Sequence, residues 1–296
     1  MHKFRIGRHI NVSPGFLTAP AYAKSIGCDI FQIFLGVPQF IISKARPEAD
    51  LKKLGETIKK LKLTMVIHGS YTINLCHPKK NNLFKTSVKS LVQDLNASAV
   101  IGKECLGVII HMGKNIPGNK ISNQEALENY IIGLKEALSQ TPNNTTIILE
   151  TGASQGNEVA SKIEGLSEIY WNLNESERER VDFCIDSCHS FSTGYQLDTP
   201  KGVKEFFKEF DDQIGIEKIA CIHFNDSKTK INSHTDRHAD IGFGFIGIDG
   251  LKAVAQFAKK NGIPIIFETP LDAIDKKTNQ EITFEQELAK VKSWLK

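Results

Sequence analysis

The chain has 296 residues, 41% of them hydrophobic and 24% charged, with a net charge of +3 at neutral pH. That is ordinary composition for a globular protein with a sizeable core, and no stretch approaches the ~18 apolar residues of a membrane span. The weak positive balance permits an anionic substrate without arguing for one, since a dedicated nucleic-acid module usually shows a pI above ~9. The six cysteines (28, 76, 105, 184, 188 and 221) lack zinc-finger spacing and read as reduced core residues. Residues 1–6 carry no apolar signal region, so the expectation is an intracellular protein, not a secreted one.

In chain order, strand-like runs open at residues 4–10 and 29–35. A helix-like stretch at 48–61 follows Pro47, then a strand at 63–68 and a helix at 84–102. The alternation continues with strand 106–111, helix 124–139 and strands 145–150 and 181–186. Helix 202–210 begins near Pro200, strand 219–224 follows, and helix 250–261 is opened by Asp249 and stopped by Gly262. Strand 264–268 and helix 284–295 close the series. Eight strands alternating with helices, without a linker or charge block, predict one α/β domain over residues 1–296, a (β/α)8 TIM barrel.

Six of these apolar runs end in a side chain that binds metals: Val66-Ile67-His68, Val108-Ile109-Ile110-His111, Ile147-Ile148-Leu149-Glu150, Cys184-Ile185-Asp186, Cys221-Ile222-His223 and Ile265-Ile266-Phe267-Glu268. The end residues are 43, 39, 36, 37 and 45 apart, and one strand with its crossover helix takes ~30 residues or more. The pattern puts an imidazole or carboxylate at the carboxyl end of strand after strand, where barrels carry their active sites. A lone strand-end histidine is more often a hydrogen-bonded core residue, but six in register are not explained that way. Three His, two Glu and one Asp on one mouth would be badly like-charged and desolvated without cations, which points to a multinuclear metal site. Asp186-Ser187-Cys188-His189 adds an imidazole, and Asp236-Arg237-His238 places two more ligand types on one side of an extended segment.

With His68-Gly69-Ser70-Tyr71-Thr72-Ile73-Asn74-Leu75, Cys184-Ile185-Asp186-Ser187-Cys188-His189, His223-Phe224-Asn225-Asp226 and Asp236-Arg237-His238-Ala239-Asp240, these segments span nearly the whole chain. Together they resemble the endonuclease IV family of apurinic/apyrimidinic (AP) endonucleases. The resemblance implies one AP endonuclease 2-type TIM-barrel domain with its metal cluster at the carboxyl mouth, and a DNA-repair hydrolase that cuts the phosphodiester 5′ to an abasic site in duplex DNA. It implies three Zn2+ ions, with Mn2+ an option at one position. His68, His111 and Glu150 would hold the first, Glu150, Asp186, His223 and Glu268 the second, and His189, Asp236 and His238 the third. Glu150, Glu268, Asp186 and His189 would be the catalytic residues among them, and Cys188 no ligand. The resemblance also implies a monomer with no membrane or protein partner.

For DNA contact the expected residues are Tyr71, Gln39, Lys228, Arg237 and His9. Tyr71 matches a position that the family inserts into DNA. Phe34-Leu35-Gly36-Val37-Pro38-Gln39-Phe40 lacks the arginine inserted at the other, and Gln39 falls nearest to it. Met112-Gly113-Lys114 stands where the family has Pro-Gly-Ser. Gly242-Phe243-Gly244-Phe245-Ile246-Gly247 fits a dinucleotide-binding pattern, but it follows a loop instead of a strand and reads better as a turn before the next helix. A thiol nucleophile at Cys188 is discounted, because adjacent residues of an extended strand face opposite sides. His2, His77 and His234 read as bystanders.

Two other readings compete. A two-metal sugar isomerase or epimerase on the same type of barrel would need neither His189 nor Asp236-Arg237-His238. A damaged-DNA binder with structural metals would have closed, usually cysteine-containing sites, which these ligand types do not offer.

Overall fold

Runs of β-branched and other apolar residues form the strands β1 (Ile6–His9), β2 (Ile30–Phe34), β3 (Thr64–His68), β4 (Cys105–Ile110), β5 (Ile147–Glu150), β6 (Val181–Asp186), β7 (Ile219–His223), β8 (Asp226–Ser227), β9 (His238–Ala239) and β10 (Ile265–Phe267). This is a computed structural model describing residues 4–277 and 279–296; His2 lies outside them. All of these strands except β8 and β9 run parallel and close into an eight-stranded barrel in the order β1-β10-β7-β6-β5-β4-β3-β2. Each predicted strand has its counterpart there, within a few residues at either end. The pair β8 and β9 is a short antiparallel ladder joining Asp226 to Ala239 and Ser227 to His238.

The helices are α1 (Ala19–Ser25), α2 (Glu48–Leu61), α3 (Asn82–Ile101), α4 (Asn123–Ser139), α5 (Ile163–Trp171), α6 (Glu175–Arg178), α7 (Ser187–Thr193), α8 (Pro200–Gln213), α9 (Gly247–Asn261) and α10 (Phe284–Trp294). Their ends follow local chemistry. Ser122 and Glu125 form a reciprocal capping box on α4, as Thr283 and Gln286 do on α10. Helix α9 stops on left-handed Gly262, whereas α2 stops on left-handed Lys62 at φ 54°. Helix α9 begins at Gly247, two residues before the expected Asp249. No helix among the described residues is long and apolar enough to cross a membrane.

The sequence reading missed α1, α5, α6 and α7. For α7 the reason is physical: all seven of its residues are buried, so it shows no amphipathic stripe. Its start is set by Asp186, whose side chain accepts the His189 N–H at 2.8 Å. Cys188 and His189 therefore lie on a helical turn, which corrects the extended segment expected for them.

Alternation along the strands divides the interior. Phe31, Ile33, Met65 and Ile67 belong to the large core shared with the helices. Ile30, Val66, Ile109, Ile148, Cys184, Cys221 and Ile266, all fully buried, form a separate cluster inside the barrel. Gly7 of β1 is paired with Ile30 and Ile266 at this level. A Cβ there would lie 1.5 Å from the Ile30 carbonyl oxygen, so the strands can approach only around glycine.

Candidate metal centre

Two residues beyond each member of the inner apolar cluster, the same strand face carries a polar side chain: Gln32, His68, His111, Glu150, Asp186, His223 and Glu268. On β1 the same step leads from Gly7 to His9. The period-2 geometry of a strand puts i and i+2 on one side, so eight strands turn eight polar side chains toward one mouth. His111 and Glu268 stand one residue past the ends of β4 and β10.

Glu150 lies at the centre and is 1% exposed. Its Oε2 is 3.5 Å from His68 Nε2 and 3.4 Å from His111 Nε2. Its Oε1 is 2.9 Å from His223 Nδ1, which in turn is 3.1 Å from Glu268 Oε2 and 3.9 Å from Asp186 Oδ2. Asp236 Oδ1 lies 3.3 Å from His189 Nε2 and 3.2 Å from His238 Nε2. The side chains gather into three imidazole and carboxylate sets of donor atoms close enough to share an ion: His68, His111 and Glu150; Glu150, Asp186, His223 and Glu268; His189, Asp236 and His238; a fourth group, Asp186, Cys188 and His238, overlaps the last two and includes a thiol. The two oxygens of Glu150 face the first and second sets separately. Helix α7 delivers His189, and the β8–β9 ladder delivers His238.

The sets fit metal ions on three grounds. Among the described residues seven buried side-chain atoms lack a hydrogen bond, and four of them are His111 Nε2, Glu150 Oε2, His189 Nε2 and His238 Nε2, all in this cluster. Buried polar atoms are rarely left so. Second, the imidazoles are oriented as ligands usually are, with the other ring nitrogen bonded elsewhere. His68 Nδ1 lies 2.8 Å from Gly69 O, His189 Nδ1 2.8 Å from Thr151 O and His238 Nδ1 3.3 Å from Glu268 O. A carbonyl oxygen only accepts, so these nitrogens carry protons and the opposite, inward-facing nitrogens are the ones that would bind an ion. Third, the donor set is imidazole and carboxylate with space left over, as at open zinc sites.

The electrostatics show the same demand for positive charge. Burial would lower His223 and His238, yet Glu268, Glu150, Asp186 and Asp236 pull them up to about 10 and about 9. His189 is raised in the same way against its burial. Burial works to raise Glu268, but His223 holds it down at about 2. His111 and His9 go the other way, each lowered to about 4 by burial, which outweighs Glu150 at His111 and Glu268 at His9. Cys188 stands beside Asp186 and His238, but its thiol points to Arg237 O at 3.6 Å, and burial and Asp186 push it up to about 12. It is a neutral thiol.

The mouth opens into a cavity of about 940 Å³ lined by His9, Tyr71, Lys114, His189, Asp236 and Glu268 among others. Tyr71 is 54% exposed at the rim, its ring set edge-on against Phe34, His68 and His111. Arg8 and Lys114 are the cations in the wall. Of the expected DNA contacts, Tyr71 and His9 line the cavity, while Gln39, Lys228 and Arg237 do not. Gln39 is exposed on the loop after β2. Lys228 is paired with Asp272 at 2.6 Å, and Arg237 folds back onto Asp236 O at 2.6 Å. His77 is buried against Asn119 and His234 is exposed. The G-x-G-x-x-G loop encloses an anion from the chain itself. The carboxylate of Asp226 accepts backbone N–H groups of Gly242, Gly244, Ile246 and Gly247 at 2.9–3.3 Å. A Cβ on Gly244 would stand 2.3 Å from Ser227 O. Sequence reasoning missed Gln32, a fully buried member of the ring, because an amide inside Phe31-Gln32-Ile33 carries no metal-ligand signal. Its position two residues past Ile30 is the signal that could have found it.

The profile of the family described as xylose isomerase-like TIM barrel matches residues 20–294. A protein of Acanthamoeba polyphaga mimivirus named as an endonuclease 4 is 64% identical over 292 residues, 99% of this chain and 94% of that one. The Saccharomyces cerevisiae protein named apurinic-apyrimidinic endonuclease 1 is 32% identical, over 91% of this chain and 72% of its own. The crystal structure of endonuclease IV from Thermus thermophilus superposes with a TM-score of 0.80 at 25% identity, covering 98% of each chain.

Proposed function

The chain belongs to the xylose isomerase-like TIM barrel family, in which its relatives are named endonuclease 4, and from that premise we propose that it is an AP endonuclease. It hydrolyses the phosphodiester 5′ to an abasic site in duplex DNA, leaving a 3′-hydroxyl and a 5′-deoxyribose phosphate. The observation that carries the reading is the arrangement of three donor sets around one cavity, with Glu150 shared by two of them.

His68, His111 and Glu150 would hold one zinc ion, Glu150, Asp186, His223 and Glu268 a second, and His189, Asp236 and His238 a third, with Mn2+ an option at one position. When bound, such ions act as Lewis acids toward phosphate oxygens and lower the pKa of water to ~7 in favourable sites. The residues supply what surrounds that chemistry. Barrel walls exclude bulk water from the floor of the site, and Glu150 fixes the separation of the first two sets. Tyr71 offers a flat ring at the rim for a base or sugar displaced from the duplex, and Arg8 and Lys114 meet phosphate charge. Lys228 and Arg237 have exposed partners that they can leave for a phosphate at small cost.

The common barrel also supports two-metal sugar isomerases, which have no need of His189, Asp236 and His238. Here Asp236 Oδ1 lies 3.3 Å from His189 and 3.2 Å from His238, and all three side chains face the same cavity, which favours the nuclease. The test is a duplex with one tetrahydrofuran abasic analogue, which cannot undergo β-elimination. Cleavage immediately 5′ to the analogue, lost in Glu268→Gln, is the expected result. Intact DNA from a fully metallated protein would sink the reading.

A further inference from the structure

Gln32 sits in the ring among metal-binding side chains, yet it is an amide. Both of its amide protons and one lone pair of its oxygen are engaged. Its Nε2 donates to Glu268 Oε1 at 2.7 Å and lies 3.0 Å from His9 Nδ1, and its Oε1 lies 2.7 Å from His223 Nε2. A deprotonated carboxylate only accepts, so the Glu268 contact fixes which end of the amide is nitrogen. The amide oxygen must then face His223, and an oxygen only accepts, so His223 carries a proton on Nε2. Its Nδ1 is therefore the nitrogen that would bind an ion in this set; without one it carries the second proton, which Glu150 Oε1 accepts at 2.9 Å. The second amide proton meets His9 Nδ1, which makes His9 an acceptor there.

We propose that Gln32 is a positioning residue of the second donor set: it selects the tautomer through which His223 binds and holds Glu268 by Oε1 so that Oε2 faces the set, while Asn225 Nδ2 holds Asp186 Oδ2 at 2.7 Å. His68, His189 and His238 are oriented by backbone carbonyls instead. A backbone acceptor is fixed by the fold, whereas this one can be removed by substitution. One amide also couples two ligands, His223 from β7 and Glu268 from the end of β10, to β2 on the other side of β1. The inference rests on the reading of the ring as a zinc centre.

Gln32→Met keeps the length of the side chain and removes every one of these bonds. In a chelator-competition titration of the zinc-loaded protein, it should release one metal equivalent 10–100-fold more readily, the usual cost of losing a partner of this kind. The other equivalents should be held as in the unsubstituted chain. The imidazole 15N shifts of His223 in the zinc-loaded unsubstituted protein read the tautomer directly and carry the test alone should Gln32→Met fail to fold. A proton on Nε2 is expected, and a proton on Nδ1 with zinc on Nε2 would overturn the inference. Unsubstituted and Gln32→Met proteins that hold every equivalent equally tightly would overturn the inference while leaving the zinc centre standing. An unsubstituted chain that holds no zinc would overturn both.

Discussion

Toward the amino ends of its strands the barrel is filled by Ile30, Val66, Ile109, Ile148, Cys184, Cys221 and Ile266; two residues further along the same strands stand Gln32, His68, His111, Glu150, Asp186, His223 and Glu268. The lower layer is satisfied by its own packing, with every member fully buried. The upper layer is not: it contains buried atoms without partners and imidazoles raised by surrounding carboxylates. A single strand therefore changes role over ~7 Å, from holding the fold together to binding what the fold is for. Stability and function are separated along the strands, and substitutions in the two layers should separate them too.

The largest effect is expected in the upper layer. Glu150→Gln removes a charge facing two donor sets, and cleavage of the abasic analogue should fall about a thousandfold or more, ~4 kcal/mol of barrier. Metal content measured on the same sample should fall with it. Near-native cleavage by a fully loaded Glu150→Gln protein would break the comparison. One layer down, Ile148→Ala leaves a cavity and should cost ~2–5 kcal/mol in denaturant unfolding, while cleavage per folded, loaded molecule stays within a few-fold. A selective loss of turnover without loss of stability would show that the layers are not separable.

A third substitution lies behind the mouth. Glu287 on α10 is fully buried, accepting the Ile241 N–H at 2.8 Å and the Thr269 hydroxyl at 2.6 Å. Burial raises it from 4.5 to about 7. The folded protein then binds a proton at this carboxyl that the unfolded chain releases, so the contribution of Glu287 to stability is full below about 4.5 and is lost as pH rises through about 7. Glu287→Gln should flatten that decline, worth up to ~3 kcal/mol by linkage. An unchanged pH–stability curve would exclude Glu287 as its source. The smallest effect is expected far from the site. Lys62 ends α2 in the left-handed region at φ 54°, where α9 uses Gly262. Lys62→Gly should stabilise by ~0.5–1 kcal/mol with no change in cleavage; a lower melting temperature would refute it.

Much of this was legible in the sequence. Runs such as Val66-Ile67-His68 and Ile147-Ile148-Leu149-Glu150 carry both the strand and its terminal ligand type, so spacing alone brings six side chains to one mouth. His189 and the Asp236–His238 pair needed the family resemblance to be tied together, because α7 and the two-residue strands β8 and β9 are too short to show a period. Gln32 was hidden because it resembles no ligand, and its role comes from three partners on β1, β7 and the end of β10. The G-x-G-x-x-G loop leads directly into α9, as its reading as a turn before that helix expects, but that it closes around Asp226 depends on a residue 16 or more positions away. The rim loop holding Gln39 has no period, and its tie to the barrel, Pro38 O accepting from Tyr71 N–H at 3.0 Å and the Ser70 hydroxyl at 2.8 Å, spans more than 30 residues, so sequence patterns have least purchase there.

The closing seam of the barrel has a consequence in time. Strand β1 pairs with β2 on one side and with β10 on the other, Gly7 opposite Ile266. During synthesis at ~5–20 residues per second, the first strand waits on the order of 10–50 s for the segment that completes its second edge. Until then β1 and β7 are unpaired edges, and Glu268 does not yet exist to meet His223. Because the last barrel strand and the last ligand of the second set arrive together, closure and completion of that set are one event, and an ion gripped by the full set reports a finished barrel.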